Sequence, residues 1–107
     1  MSKPVRTNPF ADDDIFSHIQ YYAARSAFLG ERLWNEVQAA FKLISEFPLI
    51  GEAVPRARVG GTARRVLLRH FPFFVIYRNH DDYVEVMALA HTSRKPYYLA
   101  WQVQLIR

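Results

Sequence analysis

The sequence contains no cysteine, which excludes disulfides, thiolate metal sites and a cysteine nucleophile together. No apolar run approaches the roughly 20 residues of a membrane span, and the opening MSKPVRTNPFADDD lacks the apolar core of a signal peptide. The expectation is a soluble, cytoplasmic protein. Internal repeats and low-complexity segments are absent as well. His18, His70 and His80 fall on separate elements without ligand spacing, so no metal and no cofactor is expected. Acidic residues are missing from one particular stretch. Between Ala53 and His80 stand six arginines (Arg56, Arg58, Arg64, Arg65, Arg69 and Arg78) with no aspartate or glutamate among them.

The net charge of +4 is therefore unevenly spread. Residues 1–52 carry five basic against seven acidic side chains, and residues 53–107 carry nine against three. A basic half of this kind attracts nucleic acid or an acidic protein segment, or serves only as a solvated sheet edge. With 107 residues, half of them apolar and 15% aromatic, the chain makes one domain around a single core.

The densest strand pattern lies in 64–94. Three β-prone runs, 63–69, 73–78 and 83–91, are separated by the breakers His70-Phe71-Pro72 and Asn79-His80-Asp81-Asp82. In the middle run Phe73, Val75 and Tyr77 alternate with Phe74 and Ile76, so both faces are apolar and the strand is expected to be central. In the last run Val84, Val86, Ala88 and Ala90 alternate with Tyr83, Glu85, Met87, Leu89 and His91. The first run places Val66 and Leu68 opposite Arg65, Leu67 and Arg69, which puts arginines on the flanks of the sheet.

Upstream, 3–7 reads as a short edge strand. Asn8-Pro9 is a helix start with Asn as N-cap and Pro at the first helical position, and Asp12, Asp13 and Asp14 complement the positive helix end. This helix is predicted to run to about Ala24, burying Ile15, Ile19 and Tyr22, with Phe16 widening the stripe. Ser26 caps a second helix over 27–47, whose stripe is Leu33, Val37, Ala40, Ile44 and Phe47, extended by Trp34 and Phe41. Two helices with so short a linker form an antiparallel hairpin, and Gly30, unfavourable in a helix, marks a close approach between them. Pro48 ends the second helix, and a loop with Pro55 and Gly60-Gly61 leads to the sheet. The tail 97–107 has Tyr98, Trp101 and Leu105 at helical spacing. The predicted fold is α+β: a helical hairpin on a small antiparallel sheet, in the order β-α-α-β-β-β, then a C-terminal tail that favours helix.

This order, together with several anchors, resembles the RelE/ParE family of type II toxin-antitoxin toxins. The anchors are Ala11-Asp12-Asp13-Asp14-Ile15 through Ile19 to Tyr22, the break Phe47-Pro48-Leu49-Ile50-Gly51, Arg65 ahead of Phe71-Pro72-Phe73-Phe74-Val75-Ile76-Tyr77, and the closing His91-Thr92-Ser93-Arg94-Lys95-Pro96. The resemblance covers nearly the whole chain. It implies a single-domain toxin held inactive by a cognate antitoxin. It also implies one of two activities: cleavage of messenger RNA on the ribosome, as in RelE-like members, or poisoning of DNA gyrase, as in ParE-like members.

The nuclease branch relies on basic residues and a tyrosine, whose charges stabilise a phosphorane-like transition state. By that resemblance Arg65 and Arg94 match two of its basic positions, with Tyr97 or Tyr98 as the tyrosine. Apart from the resemblance, His91 beside Arg94 is a candidate acid or base. The reading favoured for His91 is a cap on the strand end that hydrogen-bonds the turn. Two positions depart from the pattern. Leu67 stands where a second lysine is usual, and Phe74 where the central strand would carry an arginine. Each lost cation weakens phosphoryl transfer by about 10²- to 10³-fold, so the ParE-like reading is favoured. The residues expected to meet a partner are Arg64, Arg65, Arg69, Arg78, Arg94 and Trp101. A reading of a different class is a non-toxic peptide-binding module.

Overall fold

A computed structural model describes residues 2–54 and 63–93. The sequence reading of the 55–62 loop and of the tail, with Arg94, Tyr98 and Trp101, lies outside the described residues. The elements follow the predicted order with one addition, the two-residue β2: β1 (Val5–Thr7), α1 (Pro9–Ala23), α2 (Ala27–Glu46), β2 (Glu52–Ala53), β3 (Ala63–Leu67), β4 (Phe73–Asn79) and β5 (Val84–His91). The sheet runs β1-β5-β4-β3-β2. The three long strands pair antiparallel, as does the two-residue β2 with β3. The first strand differs from a purely antiparallel sheet. β1 lies parallel to β5, Val5 opposite Val84 and Thr7 opposite Val86, because the whole helical hairpin separates it from the other strands and no tight turn dictates its direction.

Both helix starts are set by side chains. Asn8 Oδ1 accepts the Ala11 N–H at 2.7 Å with Pro9 at the first helical position, and Ser26 Oγ accepts the Leu29 N–H at 3.4 Å. Of the acidic triplet, Asp12 lies in the first turn and accepts a hydrogen bond from Thr7. Asp14 instead reaches the sheet, where its carboxylate accepts the Leu89 N–H at 3.2 Å, on the edge of β5 beyond the end of β1. Gly30 marks the close helix approach. A Cβ there would stand 2.7 Å from the Cβ of Ala23, so the hairpin closes only with glycine at that position.

The helices cover one face of the sheet. Ile15, Leu33, Val37 and Ile44 pack against Phe73, Val75, Tyr77, Val84, Val86 and Leu89. The stripe is narrower than the periodicity predicts. Phe16 is 63% exposed, Trp34 41% and Phe47 59%, since the sheet contacts only the ridge of each helix that faces it.

The alternation in β5 also breaks. Ile76 pairs with Ala88 but Tyr77 pairs with Val86, so Met87 is an extra residue, a β-bulge. Val84, Val86 and Leu89 therefore face the helices, while Met87, Ala88 and Ala90 join Val54, Ala63 and Ile76 in a second apolar cluster with Phe74 against it. The predicted grouping of Ala88 and Ala90 with Val84 and Val86 fails at this bulge. The prediction that the middle strand is apolar on both faces holds.

Two polar ties hold the connections. The Tyr77 hydroxyl, on a fully buried side chain, donates to the Pro48 carbonyl at 2.8 Å and accepts the Gly51 N–H at 2.9 Å. Burial pushes the phenol pKa up, against the opposing pull of the Gly51 N–H and the Arg64 charge. A Cβ on Gly51 would lie 2.7 Å from that hydroxyl and 2.8 Å from the Arg65 carbonyl, so this position requires glycine. The second tie joins α2 to the β3–β4 turn. Glu36 accepts the His70 N–H at 3.0 Å and lies 2.6 Å from His70 Nδ1. Partial burial tends to raise the Glu36 pKa. The backbone N–H and ring of His70, with the Arg69 N–H, outweigh it and hold the carboxyl below its ordinary 4.5.

Tyr77→Phe strips two backbone groups of their partner and is expected to cost about 2 kcal/mol in urea denaturation; a loss within the fitting error would mean that water replaces the hydroxyl. A folded-state carboxyl pKa below the unfolded one contributes stability above the unfolded pKa and loses it as pH falls through the folded one. The wild type should therefore lose stability more steeply than Glu36→Gln as pH is lowered below about 4.5, and parallel pH profiles would contradict this.

Candidate functional site

The face of the sheet turned away from the helices carries the residues that the sequence singles out. Side chains directly opposite across antiparallel strands share a face, so the register defines its rows. Glu52, Arg65, Ile76 and Ala88 form one row, and Leu67, Phe74 and Ala90 the next toward the end of the sheet. A third row holds Ala63, Arg78 and Glu85, continued by Arg6 on the parallel strand β1.

Arg65 sits at the junction of the first two rows. Its Nε donates to Glu52 Oε1 at 2.7 Å, and its guanidinium lies 4.4 Å from the centroid of the Phe74 ring. Two short-range partners thus orient it, while its side chain stays 23% exposed. Leu67 is 55% exposed beside Phe74. The row in which a nuclease of the resembled family would place cations is apolar here.

The candidate arginines do not form one patch. Arg64, one residue from Arg65, points to the opposite side, where its Nη1 donates to the carbonyls of Gly51 at 2.7 Å and Leu49 at 3.3 Å. It holds the loop after α2. Arg69 is exposed beyond the end of β3, beside a small cleft that includes Leu43 and Leu67. Arg78 is half-buried in register with Glu85.

His91 closes the strand end. Its Nδ1 accepts the Ser93 N–H at 3.1 Å with Ser93 Oγ at 2.9 Å, and its ring meets Phe73 edge-on at 5.5 Å. Because a backbone N–H occupies Nδ1 as acceptor, the ring hydrogen resides on Nε2. The capping role anticipated for this residue is therefore present. The sequence reading missed Glu52 as the partner of Arg65, since β2 is only two residues long. It also missed the groove of about 380 Å³ beside α1 and α2 that Phe16, Trp34 and Phe41 line. Among the described residues no group of three or more His, Asp or Glu side chains is placed to hold a metal ion.

The fold is that of a known group. The family model for the ParE toxin of the type II toxin-antitoxin system parDE matches residues 5–96. The chain belongs to the ParE toxin family. It is 29% identical to Toxin ParE2 of Mycobacterium tuberculosis, strains CDC 1551 and H37Rv, over 97 residues that span 90% of this chain and 88% of the relative. A solved structure described as the chromosomal ParDE TA system from P. aeruginosa shares the fold. Its TM-score is 0.65 at 15% identity, with 84% of this chain and 96% of that one covered. The Pro48–Gly51 break and the β3–β5 sheet of this ParE toxin lie inside the matched span, and so do Arg64, Arg65, Arg69, Arg78 and His91.

The two neighbouring arginines should separate in mutagenesis. Arg64→Ala, which removes a charged donor from two carbonyls, is expected to cost about 1–2 kcal/mol of stability. A double-mutant cycle on Arg65 and the 63% exposed Glu52 should give a coupling of about 0.5 kcal/mol that shrinks with added salt. A salt-independent coupling several times larger would make Arg65 a structural tie rather than a surface group.

Proposed function

We propose that this ParE family toxin arrests growth by binding DNA gyrase and inhibiting it, and that a cognate antitoxin neutralises it. The family supports the antitoxin partner, and one feature of the sheet supports gyrase over messenger RNA. Phosphoryl transfer without a metal needs several cations converging on one phosphate. In this toxin the row Leu67, Phe74 and Ala90 offers none, and the adjoining Arg65 is already paired with Glu52 and stacked on Phe74. An arginine held in this way is a recognition group: its planar fork engages carboxylates or phosphates without moving a proton. The target is then inhibited by occupation of a surface. The basic half of the chain suits an acidic antitoxin segment for the same electrostatic reason.

Induced expression without the antitoxin gene is expected to stop growth, and co-expression of the neighbouring gene to restore it. Purified toxin should inhibit gyrase supercoiling in proportion to its concentration and leave translated messages intact. Codon-spaced cleavage of messages that disappears in Arg65→Ala would overturn the gyrase reading in favour of a ribosome-dependent nuclease. Normal growth at high soluble expression would leave a peptide-binding module instead.

A further inference from the structure

On the helix side of the sheet, at the end opposite the Tyr77 tie, a cavity of about 300 Å³ is lined by His18, Tyr21 and Tyr22 of α1, Phe73 of β4 and His91 of β5. All five are planar rings. Phe73, 3% exposed, organises the others: His18 tilts against it at 4.3 Å between centroids, His91 meets it edge-on at 5.5 Å and Tyr22 edge-on at 6.2 Å. Tyr21 stands edge-on to Tyr22 at 5.3 Å and carries the Arg25 guanidinium 3.6 Å from its ring centroid. The three residues of α1 fall at positions i, i+3 and i+4, so one helix face supplies one wall.

The geometry points to a binding site for a single unpaired nucleobase. Tyr21 and Tyr22 end in phenol hydroxyls, which both donate and accept. The Ser93 N–H on Nδ1 leaves His91 Nε2–H as a donor. Among the described residues that line the cavity there is no lysine or arginine, and the Arg25 guanidinium beside it is taken up by the ring and carbonyl of Tyr21, an arrangement that suits an uncharged ligand better than a phosphate or carboxylate. A flat heterocycle with mixed donors and acceptors on its edge fits both the ring walls and the polar tips. The volume lies at the lower end of the roughly 300–1,000 Å³ typical of small-molecule sites, enough for the base while sugar and phosphate remain outside in solvent. This inference does not depend on gyrase being the target.

The test compares two labelled strands of equal length and charge, a short single-stranded DNA oligomer and its abasic counterpart, titrated into the purified toxin at fixed salt. The base-bearing strand should bind about tenfold more tightly or better. Tyr21→Ala and His18→Ala, at partly exposed positions, should each erode that advantage while leaving abasic binding unchanged. A free nucleoside that competes with the oligomer identifies a mononucleotide site, and failure to compete identifies a base presented by a strand; both uphold base recognition. Equal binding of the two strands by the wild type overturns the inference even where a variant fails to fold, as does an advantage that survives both substitutions. None of these readouts measures toxicity, so loss of the gyrase reading would leave them unaffected.

Discussion

The Tyr77 hydroxyl is the constraint on which the rest of the sheet depends. It sits on a fully buried side chain in the central strand, where an unpaired phenol would be costly. Its two partners, the Pro48 carbonyl and the Gly51 N–H, fix the path of the chain as it leaves α2. That path brings the backbone so close that only glycine fits at position 51. It also sets β2 against β3, and β2 is what puts Glu52 opposite Arg65. The orientation of the most suggestive surface arginine thus follows, through three residues, from satisfying one buried oxygen.

Arg64 completes the same arrangement from the other side of β3 by holding the Leu49 and Gly51 carbonyls. Adjacent arginines with unrelated roles are a direct consequence of the two-residue strand period. The run of arginines was legible in the sequence as a basic field. Its division was not, because the field is counted along the chain whereas function depends on the face. The break Phe47-Pro48-Leu49-Ile50-Gly51 was likewise visible as a motif, yet its purpose belongs to Tyr77, 26 residues beyond Gly51.

Where sequence and structure diverge, the causes are specific. Helices, caps and long strands follow local periodicity and were readable to within a few residues. The Met87 bulge was not, since Val84 to Ala90 alternates acceptably in either register and only the pairing with Ile76 and Tyr77 reveals the extra residue. The direction of β1 was hidden because three residues carry no turn to define it. Phe16 and Trp34 were assigned to the buried stripe because helical spacing reports direction and not how far the neighbouring layer extends. Their exposure leaves an apolar groove on the hairpin.

The bulge and the Tyr77 tie together shape what the open face is able to do. The bulge moves Ala88 and Ala90 onto that face, where with Met87 they join Ile76 and Phe74 in an apolar cluster. The tie positions Glu52 to pair with Arg65, whose guanidinium lies over the Phe74 ring. A catalytic cation must be available to the charge that develops on the reacting phosphate, and preorganisation toward a protein carboxylate works against that. A recognition cation gains from the same preorganisation, because less side-chain freedom is lost when a partner binds. The surrounding apolar cluster then supplies area, and the arginine supplies direction. Under the proposed gyrase-binding role, the same packing that holds Arg65 away from phosphoryl chemistry would give the face the rigidity that binding another macromolecule rewards.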